Sequence, residues 1–333
     1  MLREHLEKVL SGKSLFPGEM TEAMDAIMDG LEPEVLVGAF LAGLRAKGET
    51  IGEIASAASV MRGKAQPVRV PGRRLLDIVG TGGDRTGTIN ISSAASLVAS
   101  AAGSAVAKHG NRSVSSRCGS ADLLESMGVP LFSDPADVET CIRETGYGFI
   151  FAPHFHRAMK NVAPVRKTLG LRTIFNVLGP LTNPACPSRQ LIGTFSAGLV
   201  RPMAEVLGHL GSERALVVHG HGGMDELSLD GPNRACLLDR GKVTEVTILP
   251  EDAGLGRARP GYAAGGDAEE NRQAILRIFQ GEKGPMRDVV VFNAGAALFV
   301  DGLASSLFEG ARAAEDVIDG GQALRKLGEV AAF

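Results

Sequence analysis

The feature of this sequence that most constrains its fold is an alternation of short β-branched runs with helical segments from Leu75 onward. This alternation predicts an α/β arrangement, in which helices cover a mostly parallel central sheet. The predicted strands are Leu75–Val79, Ala105–Lys108, Gly148–Phe151, Arg189–Thr194, Ala215–His219, Arg234–Leu238 and Lys242–Ile248. The predicted helices of this part are Ser92–Ala102, Ser120–Met127, Pro135–Glu144, Val200–Leu210, Ala268–Gln280 and Val289–Val300.

Residues 1–65 show a different pattern, in which apolar residues recur at helical spacing and no strand pattern occurs. The helices predicted here are Arg3–Leu10, Met20–Asp29, Glu34–Lys47 and Ile51–Arg62. A proline-containing linker, Ala65–Arg74, follows. We therefore predict a small all-helical domain, residues 1–70, hinged to a larger α/β domain, residues 71–333. Residues 157–182 are helical again, and we expect part of them to complete the helical domain.

Composition excludes several classes of protein. With 333 residues, 44% of them apolar and 22% charged, the chain has the composition of a soluble globular protein. A net charge of −3 gives no general attraction to nucleic acid or anionic membranes. Residues 1–15 carry charged residues and lack the long apolar segment of a signal peptide, and the longest apolar stretch of the chain is too short to cross a bilayer. We expect a cytoplasmic protein that does not bind membranes, and nucleic-acid binding is disfavoured.

A glycine-rich turn directly follows the first predicted strand. Residues 80–93 read Gly-Thr-Gly-Gly-Asp-Arg-Thr-Gly-Thr-Ile-Asn-Ile-Ser-Ser and lead into an alanine-rich helix. Glycines let backbone N–H groups face a ligand, and Asn90, Ser92 and Ser93 add donors at the positive end of the helix. The order of strand, turn and helix indicates an anion site, with an ordinary tight turn as the alternative.

This turn does not match the common nucleotide-binding loops. A Walker loop would continue with Gly-Lys-Ser/Thr, and Arg85 occupies the place of the third glycine in the Rossmann spacing. Ordinary nucleotide-binding domains are therefore disfavoured.

A second cluster, Lys108–Ser120, concentrates three cations and four serines. Such a segment can neutralise and hydrogen-bond several phosphate oxygens at once. Its apolar flanks place it after a strand and before a helix, where α/β proteins usually bind ligands. A solvated basic loop is the alternative interpretation.

Adjacent carboxylates, Asp225 and Glu226, end a glycine turn that follows the strand Ala215–His219. Mg²⁺ takes few protein carboxylates and completes its coordination with water and substrate phosphates. Together with two phosphate-type segments the pair indicates a Mg²⁺ site, whereas alone it would be a solvated turn.

Arg166 lies in a further segment that is rich in basic and aromatic residues, Phe151–Pro184. A guanidinium held in this segment can bind a carboxylate in a forked pair. The alternative is an arginine on the surface of a helix.

These four segments, in this order and spacing, resemble the anthranilate phosphoribosyltransferase family over nearly the whole chain. The C-terminal stretches Gly265–Asn271 and Asn293–Leu298 are similar to that family as well. The resemblance implies Mg²⁺-dependent transfer of a phosphoribosyl group from phosphoribosyl pyrophosphate to anthranilate in tryptophan biosynthesis. It also implies a helical domain hinged to an α/β domain, and a homodimer formed through the helical part.

The resemblance assigns roles to individual positions. Contacts to the phosphoribosyl donor are implied for Gly80, Gly83, Asp84, Thr88, Asn90, Ile91, Ser92 and Ser93. Further donor contacts are implied for Lys108, His109, Gly110, Asn111, Arg112, Ser113, Val114, Ser115, Ser116 and Ser120. Two Mg²⁺ ions would be bound by Ser92, Asp225 and Glu226, and the anthranilate site would be lined by Gly80, Asn111 and Arg166. No residue is assigned with certainty to catalysis, and His109 is a candidate proton acceptor.

One position departs from the family pattern, because Arg85 stands where the family usually has glycine, and a glycine follows instead at Gly87. Two other functions stay open at this point. A pyrimidine nucleoside phosphorylase shares the fold type, although such enzymes usually carry a further C-terminal domain. A non-catalytic relative that binds nucleic acid is the second alternative, and the net charge of −3 argues against it.

Overall fold

A seven-stranded sheet forms the centre of the protein, which we describe from a computed structural model over residues 2–84, 86–113 and 117–333. The strands are β1 Leu75–Gly80, β2 Ala105–Gly110, β3 Tyr147–Phe151, β4 Arg189–Gly193, β5 Arg214–His219, β6 Asn233–Asp239 and β7 Lys242–Ile248. Arg85, Val114, Ser115 and Ser116, which the sequence analysis singled out, lie outside the described residues.

The strand order is β3-β2-β1-β4-β5-β6-β7. The first five strands of this order run parallel, whereas β6 and β7 form an antiparallel edge. The chain builds outward from β1 to β2 and β3, and then returns to lay β4 on the other side of β1. The order therefore reverses between β1 and β4, which is where open α/β sheets form a ligand crevice at the carboxyl ends of their strands.

All seven predicted strands are present, with bounds shifted by at most two residues. One shift matters, because His109 and Gly110 were predicted in a loop and instead lie in β2. Their positions pair with Ile150 and Phe151 of β3, so the ladder extends the strand beyond Lys108. This corrects the expectation that the basic cluster is a loop from its first residues onward.

The helices of the N-terminal part are α1 Leu2–Leu10, α2 Pro17–Met28, α3 Glu34–Lys47 and α4 Ile51–Lys64. The others are α5 Ile91–Ala101, α6 Ser120–Ser126, α7 Pro135–Thr145, α8 Ala152–Phe155, α9 Ala163–Leu169, α10 Phe175–Leu178, α11 Val200–His209, α12 Ala268–Phe279, α13 Pro285–Asp301, α14 Leu307–Asp319 and α15 Gln322–Ala331. The sequence analysis did not identify α14 and α15. The apolar residues on the buried face of α14 recur at helical spacing, so the pattern was present in the sequence: they are Ala311, Ala314, Val317 and Ile318.

The helices α1–α4, here called the helical layer, share one apolar core with residues 157–182. Phe40 and Leu41 of α3 and Val162 and Val165 of the later segment belong to this core. The core continues through α11 to one face of the sheet, where Ile192 lies. The predicted return of residues 157–182 to the helical part agrees with this packing, while the exact division into two domains stays a prediction.

Both faces of the sheet are covered. The face formed by Leu76 and Ile78 packs against α5 and α13 in the largest apolar cluster. The opposite face packs against α7 beside β2 and β3, and against α11 beside β5 and β6. The carboxyl ends of the strands are therefore the open edge available for a site. Within the described residues, we find no helix with the length and apolarity needed to span a bilayer.

Glu53 is a buried carboxylate inside the helical layer. Its two oxygens accept hydrogen bonds from the Lys47 ammonium at 2.8 Å, the Thr50 N–H at 2.8 Å and the Leu15 N–H at 2.9 Å. Burial by itself raises the pKa of Glu53, but these donors outweigh burial and lower the pKa below its ordinary value. The ionised carboxylate therefore stabilises the folded state.

We expect Glu53→Gln to lower the free energy of unfolding at neutral pH by about 2–4 kcal/mol, because Lys47 loses a buried counter-charge. The stabilisation by Glu53 is present above its unfolded pKa of about 4.3 and is lost as pH falls through the lower folded pKa. Urea titrations over a pH series should show the two proteins converging below about pH 4. Exposed Glu34→Gln is the matched control, and a difference that stays constant with pH would contradict the interpretation.

Candidate active site

The glycine turn, residues 80–90, joins the end of β1 to the start of α5. Gly82, Gly83 and Gly87 have φ angles of 68°, 74° and 66°, a region that side chains other than glycine rarely adopt. The glycines are thus required by the path of the backbone. The turn ends at the N-terminus of α5, as the anion-site interpretation of the sequence expects.

A second turn, residues 220–226 and here called the acidic turn, follows β5 and reaches back over the carboxyl ends of β1 and β4. Two glycines make room for it. A Cβ atom on Gly80 would overlap the carboxylate of Asp225, and one on Gly193 would overlap the Asp225 backbone carbonyl. Small residues at the ends of two neighbouring strands therefore let the acidic turn rest directly on the sheet.

Hydrogen bonds tie the acidic turn to the glycine turn. The Asp225 carboxylate accepts from the Gly82 N–H at 2.6 Å, and the Glu226 carboxylate accepts from the Ser92 N–H at 3.1 Å. The Asp225 N–H in turn donates to the Asp84 carboxylate at 3.3 Å. The structure thus brings Ser92, Asp225 and Glu226, the predicted Mg²⁺ ligands, into one group together with Asp84.

The charge of this group is poorly compensated by the protein alone. Burial raises the pKa of both Asp225 and Glu226. Repulsion by the Asp84 charge raises the pKa of Asp225 further, and repulsion by the Asp225 charge does the same for Glu226. A divalent cation would remove this repulsion. No set of three or more His, Cys, Asp and Glu side chains in the described part of the chain is arranged to bind a metal alone. Two carboxylates and a hydroxyl suit Mg²⁺, which leaves other coordination positions to water and substrate phosphate.

Lys108 lies beneath this group rather than in an open loop. Its side chain points from β2 into the protein and is only 1% exposed. The ammonium donates to the Ile78 carbonyl at 2.6 Å and lies 3.4 Å from the Ser92 hydroxyl. Burial lowers the pKa of Lys108, against the opposing charges of Asp77, Glu226 and Asp225.

Asp77 is a residue of the site that the sequence analysis missed. It is fully buried in β1, and it accepts hydrogen bonds from the Asn183 amide at 2.8 Å and the His109 N–H at 3.2 Å. Burial raises the pKa of Asp77 to about 6, against the nearby Lys108 charge. The sequence did contain a sign of this role, because Asp77 is the only charged residue in the apolar run Leu-Leu-Asp-Ile-Val. A carboxylate buried in a strand requires a partner, which indicates a polar network around it.

Arg112 and Ser120 of the basic cluster bond to neighbouring residues of the protein. Arg112 donates to Asp122 and Glu125 of α6, at 2.8 Å each. Both carboxylates raise the pKa of Arg112. The Ser120 hydroxyl donates to the Asn111 carbonyl at 3.1 Å. The predicted wrapping of phosphates by Arg112 therefore requires this ion-pair network to rearrange.

His109 packs beside His156, with ring centroids 5.2 Å apart. Burial lowers the pKa of both imidazoles, to about 4 for His156 and well below the ordinary value for His109. Their Nε2 atoms are buried and have no hydrogen-bond partner among the residues that the structure describes. His109 is therefore neutral at neutral pH and stays a candidate proton acceptor.

Three other predicted site residues lie on helices, two on α5 and one on α9. Ile91 and Ser93 are fully buried in α5, so their side chains face the core rather than the turn surface. Arg166 is on α9, where its guanidinium lies 5.4 Å from the centre of the Phe175 ring. Burial lowers the pKa of Arg166. The predicted grouping of Arg166 with Gly80 and Asn111 stays a prediction.

Two C-terminal asparagines support the site from behind. The Asn271 side chain donates to the Asn90 side chain at 2.9 Å, while the side-chain Oδ1 of Asn293 accepts from the Leu227 N–H at 2.9 Å. Thr88 of the glycine turn forms a β-bridge with Ala264. The C-terminal stretches therefore hold the glycine turn and the residue that follows Glu226.

Comparisons with known proteins agree with this arrangement. The model for the helical bundle domain of a glycosyl transferase family matches residues 3–65, and that for the a/b domain of this family matches residues 72–324. The predicted fold class is thereby confirmed.

Relatives extend the agreement to the full length. Anthranilate phosphoribosyltransferase from Petrotoga mobilis is 49% identical, with 100% of this chain and 97% of the relative covered. The crystal structure of this enzyme from Thermus thermophilus has a TM-score of 0.93 at 47% identity and covers 98% of each chain. The Saccharomyces cerevisiae enzyme in complex with phosphoribosyl pyrophosphate and Mg has a TM-score of 0.91 at 28% identity, covering 99% of this chain and 97% of that one.

We expect Gly193→Ala to displace the acidic turn, because the added Cβ has no space beside Asp225. The expected loss is about 1–3 kcal/mol in the free energy of unfolding, the usual cost of overpacking. Gly52→Ala is the control, since a Cβ on Gly52 in α4 meets no atom within 4 Å. Chemical denaturation compares the two variants, and equal stabilities would show that the turn does not depend on Gly193.

Proposed function

The chain belongs to the anthranilate phosphoribosyltransferase family, and we propose that it transfers the 5-phosphoribosyl group of phosphoribosyl pyrophosphate to the amine of anthranilate. The products are N-(5-phosphoribosyl)anthranilate and pyrophosphate, a step of tryptophan biosynthesis. The similarities favour neither a pyrimidine nucleoside phosphorylase nor a nucleic-acid-binding relative.

The observation that carries this function is the contact between the acidic turn and the glycine turn. The glycine turn and the start of α5 supply backbone N–H groups that suit phosphate. Those of Gly82 and Ser92 donate instead to Asp225 and Glu226, and these two carboxylates would repel an unaccompanied phosphate. Backbone N–H groups and carboxylates side by side therefore suit a phosphate ligand that binds together with a cation. A pyrophosphate with bound Mg²⁺ has this chemistry.

Ser92, Asp225 and Glu226 would hold Mg²⁺, and we propose two ions. Bound Mg²⁺ supplies charge neutralisation for the leaving pyrophosphate. Asp84, which contacts the Asp225 N–H, adds a third carboxylate to the group and supports the second ion.

The chemistry asks mainly for positioning and charge stabilisation. The anthranilate amine displaces pyrophosphate at the anomeric carbon through a transition state with oxocarbenium character, without a covalent enzyme intermediate. An aryl amine is already a neutral nucleophile, so a strong base is not required, and His109 is the candidate for accepting the released proton. Lys108 places a buried cation beneath Ser92, where it counters the negative charge of the site.

We also propose a homodimer through the helical layer. The layer exposes large apolar side chains at Leu10, Phe16, Leu31 and Val35, the last of them 86% exposed. Such residues favour a protein–protein contact. Sedimentation equilibrium distinguishes the 34.7 kDa chain from its dimer, and a monomer at all concentrations would reject the proposal.

The activity is tested by following the loss of anthranilate fluorescence with purified protein, phosphoribosyl pyrophosphate and Mg²⁺. We expect turnover that requires the metal and falls by about 100-fold or more in Asp225→Asn/Glu226→Gln, because Mg²⁺ would no longer be held where it counters the pyrophosphate charge. The matched control is Glu251→Gln/Asp252→Asn, which neutralises an adjacent acidic pair on the surface.

Retained turnover in this control would assign the loss to the acidic turn rather than to net charge. Folded wild-type protein that leaves the fluorescence unchanged would reject the function. Cleavage of thymidine or uridine with phosphate would then favour the nucleoside phosphorylase.

A further inference from the structure

We propose that Arg172 is a positioning residue that fixes the glycine turn from the side of the helical layer. Its guanidinium donates a hydrogen bond to the Gly83 carbonyl and stacks over the Phe195 ring, 4.0 Å from the ring centre. Neither the motifs of the sequence nor the chemistry of the acidic turn assigns this residue a role. The inference rests on the proposed function, because its effect is on binding of the phosphoribosyl donor.

Arg172 belongs to the segment that packs on the helical layer. It follows α9, whose Val165 lies in the apolar core shared with α3. From α3, the Arg45 guanidinium donates to the Arg172 backbone carbonyl. A continuous connection therefore leads from α3 through Arg45 and Arg172 to the Gly83 carbonyl, across the gap between the helical layer and the sheet edge.

The hydrogen bonds of Thr81 and Gly82, which precede Gly83 in the glycine turn, come from the sheet side. Its Thr81 N–H donates to the Gly193 carbonyl at 2.9 Å, and its Thr81 hydroxyl accepts from the Phe195 N–H at 2.9 Å. The Gly82 N–H is held by Asp225 at 2.6 Å. Arg172 therefore fastens the turn at the next residue along the chain, and it does so from the segment that packs on the helical layer.

This bond determines the orientation of one peptide plane. The peptide between Gly83 and Asp84 is trans and planar, so the Asp84 N–H points away from the direction of the Gly83 carbonyl. Because Arg172 holds the carbonyl toward the helical layer, the Asp84 N–H is directed to the other side of the turn. Gly83 has a φ of 74° and no Cβ, so without this bond the plane would be free to rotate.

The surroundings of Arg172 indicate that its side chain can be removed without loss of stability. The side chain is exposed and borders a cavity of about 540 Å³ that is also lined by Arg45, Asp84 and Phe195. Truncating an exposed side chain beside such a cavity leaves no buried void. We therefore expect Arg172→Ala to fold with unchanged stability while the peptide plane loses its restraint.

The test measures donor affinity directly, by calorimetric titration of the full-length protein with phosphoribosyl pyrophosphate and Mg²⁺. We expect Arg172→Ala to weaken donor binding about five- to tenfold, which is within the usual net contribution of one hydrogen bond. The KM for the donor should rise by the same factor while the KM for anthranilate stays within about twofold. Exposed Lys167→Ala, which removes a cation from the same segment, should leave all of these values unchanged.

Two further variants separate positioning from charge. Arg172→Lys keeps the charge and one donor, so it should recover part of the lost affinity. Arg45→Ala should also weaken donor binding, because the Arg45 guanidinium holds the Arg172 backbone carbonyl and so helps to place the Arg172 side chain. Donor affinity unchanged in Arg172→Ala, or lowered equally by Lys167→Ala, would overturn the proposal. Wild-type protein without turnover would instead reject the proposed function, so the two failures are distinguishable.

Discussion

The burial of the Asp225 carboxylate at the edge of the sheet is the constraint on which the rest of the site depends. Asp225 is 8% exposed, and the strand ends beneath it are glycines because no larger residue leaves room for the acidic turn. Its charge and that of Glu226 attract the buried ammonium of Lys108, and Lys108 in turn balances Asp77 inside the sheet. Each buried charge thus requires the next, and the chain of charges ends at the place where a divalent cation fits.

The fold supplies this arrangement through its topology. Because β4 returns beside β1, the glycine turn and the acidic turn meet at the point where the strand order reverses. The helical layer borders the same edge through residues 157–182, which join its apolar core and continue to Arg172. The groups that we propose for donor binding and groups from the helical layer therefore face one cleft, the arrangement needed to hold two substrates against each other.

The features that could be predicted from the sequence are those that short local patterns determine. The strands follow from β-branched runs, and the glycine turn and the pair Asp225 and Glu226 follow from motifs only a few residues long. Contacts between distant residues were not predictable in this way. The bond from Asn293 to Leu227 and the network of Asp77 with Asn183 join residues far apart in the chain. The pairing of Arg112 with α6 was missed for a related reason, since a cation in a loop does not reveal whether it faces a ligand or its own protein.

The central claim is that the site accepts a pyrophosphate together with Mg²⁺, because its carboxylates repel the bare anion. Calorimetric titration of the wild-type protein with phosphoribosyl pyrophosphate, with Mg²⁺ and again with a chelator, tests this most directly. The account predicts binding at least about tenfold tighter in the presence of Mg²⁺, since neutralising one close charge repulsion is worth more than 1 kcal/mol. Equal affinity with and without the metal would contradict it.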